Sequence, residues 1–85
     1  MPRALTVRQS RVATGERDRF RLAAREIRTH YASQGCNYWV FEAREQAGEY
    51  LEFFEGPDVE VLMHAHQDTA GIGPVAPTYV QVELN

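Results

Sequence analysis

Apolar spacing changes character several times along this chain. From Ala4 to Ala13, ALTVRQSRVA alternates in part and is rich in β-branched residues, which predicts a strand. The spacing then lengthens. Phe20, Ala24, Ile27 and Tyr31 recur at i, i+4, i+7 and i+11, one stripe of a helix that Leu22 and Ala23 widen. Thr14 is placed as the N-cap, with Glu16, Arg17 and Asp18 in the first turn, and Gly35 as the stop. NYWVFEAR and EYLEFF both have strand composition, and the short link with Gly48 makes them a hairpin. DTAGIGPVAP reads as a loop, and TYVQVEL as a last strand with Thr78, Val80, Val82 and Leu84 on one side.

The hairpin strands carry apolar groups on both faces. Tyr38, Val40 and Glu42 oppose Trp39, Phe41 and Ala43; Tyr50, Glu52 and Phe54 oppose Leu51, Phe53 and Glu55. Both faces of the sheet then need a cover, and a single helical layer supplies one.

The segment GPDVEVLMHAHQ admits two readings. As a strand, it puts His64 and His66 on one face with Asp68 just beyond. That spacing is similar to the H-x-H-x-D-H signature of the metallo-β-lactamase superfamily and would imply a zinc hydrolase. As a helix, Pro57 takes the first position, Asp58 and Glu60 the first turn, and both histidines the last turn. Val59, Leu62, Met63 and His66 then form the buried stripe. Residues two apart on a helix point about 200° apart, so the histidines would not share an ion. The helix is the preferred reading. The hydrolase signature wants a last histidine where this chain has Thr69, and a second crossover is needed to place the last strand. No metal and no cofactor is expected.

Eighty-five residues make one domain, 1–85, and so short a chain gains from association, which favours a homodimer. One cysteine, Cys36, precludes an internal disulfide and fits a reducing cytoplasm. No apolar run reaches membrane-spanning length and no signal peptide is visible, so no membrane association is expected. All nine basic residues are arginine, eight of them at or before Arg28. They read as the wet side of a helix, because a net charge of −3 does not suit nucleic acid.

The element order is thus β-α-β-β-α-β, an α+β ferredoxin-like fold: a four-stranded antiparallel sheet with two helices on one face. On this order, and on GCNYWVFEAREQAGEYLEFFEGPDVEVLMHAH, the chain resembles the antibiotic biosynthesis monooxygenase-like family of the dimeric α/β-barrel superfamily. The resemblance implies a homodimer with a cavity in each subunit between sheet and helices. It implies a small-molecule ligand, with cofactor-independent oxygenation of phenols or quinols as one activity. The family's haem-degrading branch wants Asn on the first strand, Trp on the third and His on the second helix; TVRQS and LEFFE lack the first two.

An oxygenase of this kind needs a base and a dry aromatic pocket. His64 or His66 is the candidate base. Tyr38, Tyr50 and Tyr79 are candidate hydrogen-bond donors, Trp39 and Phe53 walls, and Arg8 an anion holder. The structural alternative has Arg8 and Arg11 pairing with Glu42, Glu52 or Glu83, the aromatics in core or interface, and Cys36 as a small buried group. Pro2, as a tautomerase-like N-terminal base, is disfavoured because Arg3 separates it from the strand. A non-catalytic ligand-binding or interaction module is the alternative function. The glycine- and proline-rich loop 68–77 is expected to serve as a lid.

Overall fold

The computed structural model describes residues 2–67 and 76–84. Its elements are β1 (Ala4–Arg11), α1 (Arg17–Ser33), β2 (Asn37–Glu42), β3 (Glu49–Gly56), α2 (Val59–Gln67) and β4 (Thr78–Val80). The strands lie in the order β2-β3-β1-β4, with each neighbouring pair antiparallel. The crossover through α1 therefore skips one strand, and the crossover through α2 skips another. Each gap is filled by the other β-α-β unit, which is the expected ferredoxin-like arrangement.

Register assigns the two faces. Thr6, Phe54 and Tyr38 stand side by side, as do Arg8, Glu52 and Val40; one residue along, Val7, Phe53 and Trp39 form the opposite row. Thr6, Tyr38, Tyr50, Glu52 and Phe54 are buried beneath the helices. On the other face Trp39, Phe41 and Tyr79 remain 45, 53 and 54 % exposed. The double-faced apolar pattern of the hairpin is thus real, and among the described residues only one face is covered.

The first helix contributes Tyr31, fully buried, with Ala24 and Ile27 packed on the same core. Phe20 stacks on Tyr50 at 4.3 Å between ring centroids. Leu22 does not widen the stripe. It lies about 200° around the helix from Phe20 and is 59 % exposed, with Ala23 also exposed. Nor does Thr14 cap the helix: Thr14–Glu16 form a 3-10 turn, closed by the Glu16 N–H on the Ala13 carbonyl. The far end matches expectation. The Cys36 N–H reaches the Tyr31 carbonyl at 2.8 Å and the Gly35 N–H reaches Ala32 at 3.1 Å, while Gly35 takes φ +78°. This is a Schellman closure, and glycine at that position avoids the Cβ penalty of a left-handed backbone.

The contested segment is a helix. It starts later than expected, because Asp58 is the N-cap and not a first-turn residue. Its Oδ1 accepts the Val61 N–H at 2.9 Å. Leu62, Ala65 and His66 form the buried stripe, and Val59 is left exposed. At the hairpin, β2 ends earlier and β3 later than their composition suggests. Gly48 takes φ +89° there, and a Cβ would stand 2.4 Å from the Val12 carbonyl oxygen. The last strand is shorter than TYVQVEL. Val80 pairs with Ala4, the first residue of β1, so after a further bond from the Gln81 N–H to the Arg3 carbonyl the partner strand is spent. Among the described residues no helix is long and apolar enough to cross a membrane.

Candidate functional site

The buried face of the sheet carries polar chemistry in two linked clusters. The first centres on Glu52, fully buried on β3. Arg8, its cross-strand neighbour, donates from Nε to Oε1 at 2.9 Å and from Nη2 to Oε2 at 2.8 Å. Ser10 donates to Oε1, and the Tyr38 hydroxyl donates to Oε2 at 2.6 Å. Burial alone would push the carboxyl up, but the bonds from Arg8, Ser10 and Tyr38 outweigh it and hold Glu52 below the usual range. Burial and the Glu52 bond push the Tyr38 phenol well above its ordinary value. Glu52 is ionised and Tyr38 neutral at pH 7.

The second cluster centres on His66. The Tyr31 hydroxyl lies 2.6 Å from Nδ1, and Thr6 Oγ1 lies 3.1 Å from Nε2. Thr6 Oγ1 in turn meets Thr78 Oγ1 at 3.1 Å, and Thr78 is exposed. A chain of exchangeable protons thus runs from the core to the surface at the start of β4. Burial lowers the His66 pKa, and the Arg8 charge lowers it further, so the imidazole is neutral at pH 7. The Phe54 ring links the clusters, 5.4 Å from the His66 ring and 5.4 Å from the Arg8 guanidinium carbon. His30 Nε2 donates to the Ala65 carbonyl at 3.0 Å and ties α1 to α2.

The structure separates the two candidate bases. His66 is buried and His64 exposed, on opposite sides of α2, so they do not chelate one ion. Asp68, the third member of that motif, and most of the 68–77 loop lie outside the described residues. Arg8, Tyr38 and His66 are brought together with Tyr31 and Phe54. Trp39 and Phe53 do not wall the layer between sheet and helices, as the sequence reading expects; they stand on the other face, because neighbours along a strand point to opposite sides. Tyr79 is also there, opposite Leu5 on β1. Arg8 takes Glu52 as its partner, whereas Arg11 takes Glu49, which the sequence reading leaves out. Cys36 is buried, and burial raises its thiol pKa, consistent with an inert packed group. Thr6, Ser10 and Tyr31 enter the site without having been singled out for it. Their signal in the sequence is polar side chains sharing period-two or helical positions with the core.

A groove of about 840 Å³ opens beside these clusters, between α1 and the edge strand β2. Tyr38, Tyr50 and Trp39 line it, whereas Arg8 and His66 do not.

Strand order, helix placement and the buried polar face define an α+β protein of the ferredoxin-like class. A solved structure with this fold is that of Rv0793 from Mycobacterium tuberculosis, which matches 100 % of this chain and 97 % of its own at a TM-score of 0.70 and 18 % identity. That likeness is one of fold. No family model and no curated protein matches the chain.

Two consequences are measurable. A histidine with a lowered folded-state pKa binds its proton more readily in the unfolded chain. Its stabilising contribution is therefore present above about pH 6.5 and is lost as pH falls below that value. Urea midpoints of the native chain should fall between pH 7 and 5 more steeply than those of His66→Gln. Removing Glu52 leaves the Arg8 guanidinium and the Tyr38 hydroxyl without their acceptor. Glu52→Ala should cost about 3 kcal/mol in urea unfolding, and Glu55→Ala, at a more exposed pair, under about 1 kcal/mol.

Proposed function

We propose that this protein handles an aromatic small molecule, and that it is a cofactor-independent oxygenase of the monooxygenase-like group with His66 as its base. The observation that carries the reading is the neutral imidazole of His66, buried between the Tyr31 and Thr6 hydroxyls. A general base must be unprotonated at working pH and must pass its proton on. Burial keeps His66 unprotonated, and Thr6 and Thr78 provide the exit. Proton abstraction from a phenol gives the electron-rich phenolate that reacts with oxygen. The aromatic surroundings of Tyr31, Tyr38 and Phe54 suit such a ring, and the ionised Arg8–Glu52 pair fixes the local charge.

The proposal includes a homodimer in a reducing, cytoplasmic setting. Leu5, Val7, Leu51 and Phe53 form a half-buried floor, with Trp39, Phe41 and Tyr79 standing from it on the uncovered face. A contiguous patch of this kind on a soluble chain calls for a cover, and a second copy laid face to face supplies one with matching chemistry. A non-catalytic ligand-binding module is the second reading. It is favoured by one observation: both ring nitrogens of His66 already meet hydroxyl groups.

Oxygen uptake with a panel of quinols separates the two. The oxygenase reading expects turnover that falls at least about a hundredfold in His66→Ala and stays near native in His64→Ala. Turnover unaffected by His66→Ala would remove His66 as the base, and no uptake with any quinol would favour the binding module. For the assembly, native mass spectrometry should give twice the chain mass, and Phe53→Asp should give the single chain with its helical circular dichroism retained.

A further inference from the structure

We propose that the groove between α1 and β2 binds an aromatic acid, a small ligand with a flat apolar body and an anionic head. The inference goes beyond the oxygenase reading, since neither His66 nor Arg8 lines the groove.

The argument starts from helix geometry. Arg21, Arg25 and Arg28 follow one another at i, i+4 and i+7. That stripe runs about 100° around α1 from the buried seam of Phe20, Ala24, Ile27 and Tyr31. The guanidinium groups therefore stand beside the core contact and not opposite it, and all three line the groove over about 10 Å of helix. The stacked rings of Phe20 and Tyr50 form one wall, and Tyr38 and Val40 of the strand form another.

Charge selects the ligand. Among the described residues the ion pairs take Arg3, Arg8, Arg11, Arg17 and Arg19, and none takes Arg21, Arg25 or Arg28. The groove's own carboxylate, Glu42, is hydrogen-bonded by Arg17 at 2.7 Å and by the Gly48 N–H at 3.0 Å. The Arg21 charge also acts on it without a direct ion pair, which leaves Arg25 and Arg28 the least compensated of the three. A chain of net charge −3 thus keeps three cations in a row facing an aromatic cleft. Like charges at this spacing repel, and a carboxylate or sulfonate between them relieves the repulsion while a guanidinium fork binds it bidentately. The apolar body covers the rings. β2 is an edge strand, so its outward N–H and C=O groups add polar contacts along the same wall.

Amide NMR titration of the full chain with anilinonaphthalene sulfonate tests this, with neutral phenylnaphthylamine as its uncharged counterpart. The expected result is shifts centred on Arg21–Ala32 and Asn37–Glu42. Binding of the neutral compound should be about tenfold weaker, as should binding of the sulfonate to the double variant Arg25→Glu, Arg28→Glu. Both arginines are exposed, so the variant keeps the fold, and an unchanged unfolding midpoint checks it. Shifts centred on Leu5, Val7, Leu51 and Phe53 would place the dye on the open sheet face and overturn the proposal. Equal affinity for the neutral compound, or for the double variant, would overturn it too.

Discussion

A carboxylate with no solvent exposure sits in the middle of the sheet, and its needs organise what surrounds it. Desolvating Glu52 is costly unless its lone pairs are met. The donors that meet them come from both neighbouring strands: Arg8 and Ser10 from β1, Tyr38 from β2. A slip of one residue in either pairing would send those donors to the other face. The ion cluster thus fixes the register of three strands at once. In doing so it sets Phe54 beneath Tyr31 and His66, with ring centroids 5.1 and 5.4 Å away.

Much of this order was legible in local patterns. Strand and helix periods, the Gly35 stop and the acidic start of α2 give the β-α-β-β-α-β sequence, because each is decided by residues within a few positions. What was not legible depends on distant partners. Thr6 meets His66 across 60 positions and Ser10 meets Glu52 across 42; the two-residue period puts both hydroxyls on the core face of β1 but does not name their partners. The length of β4 is set by where β1 begins, which its own alternation does not encode. Trp39 and Phe53 share aromatic chemistry with Tyr38 and Tyr50, but the two-residue period puts them on opposite faces. Glu52 itself was half legible: an acid at a core position of a strand, opposite an arginine, marks a buried pair.

The sheet therefore divides its surroundings into three environments. Beneath the helices lie the ionised pair and the neutral imidazole. The open face is apolar at its centre, with the Arg11–Glu49 and Arg3–Glu55 ion pairs towards its ends. The β2 edge is aromatic and cationic. Tyr38 joins the first and third, since its ring lines the groove while its hydroxyl meets Glu52; Tyr50 also lines the groove, and its hydroxyl meets Arg17. A ligand pressing on the Tyr38 ring would act on the charge cluster through that one side chain.

The single tryptophan stands at the meeting point of the open face and the groove. At 45 % exposure, with Phe53 as its cross-strand neighbour, its indole is partly wetted. Indole emission moves to shorter wavelength as water leaves the ring. The chain thus carries a built-in optical reporter, with no tyrosine-to-tryptophan replacement or external label needed. Covering of the sheet and filling of the cleft would both register in the colour of one residue, and the concentration dependence of each would tell them apart.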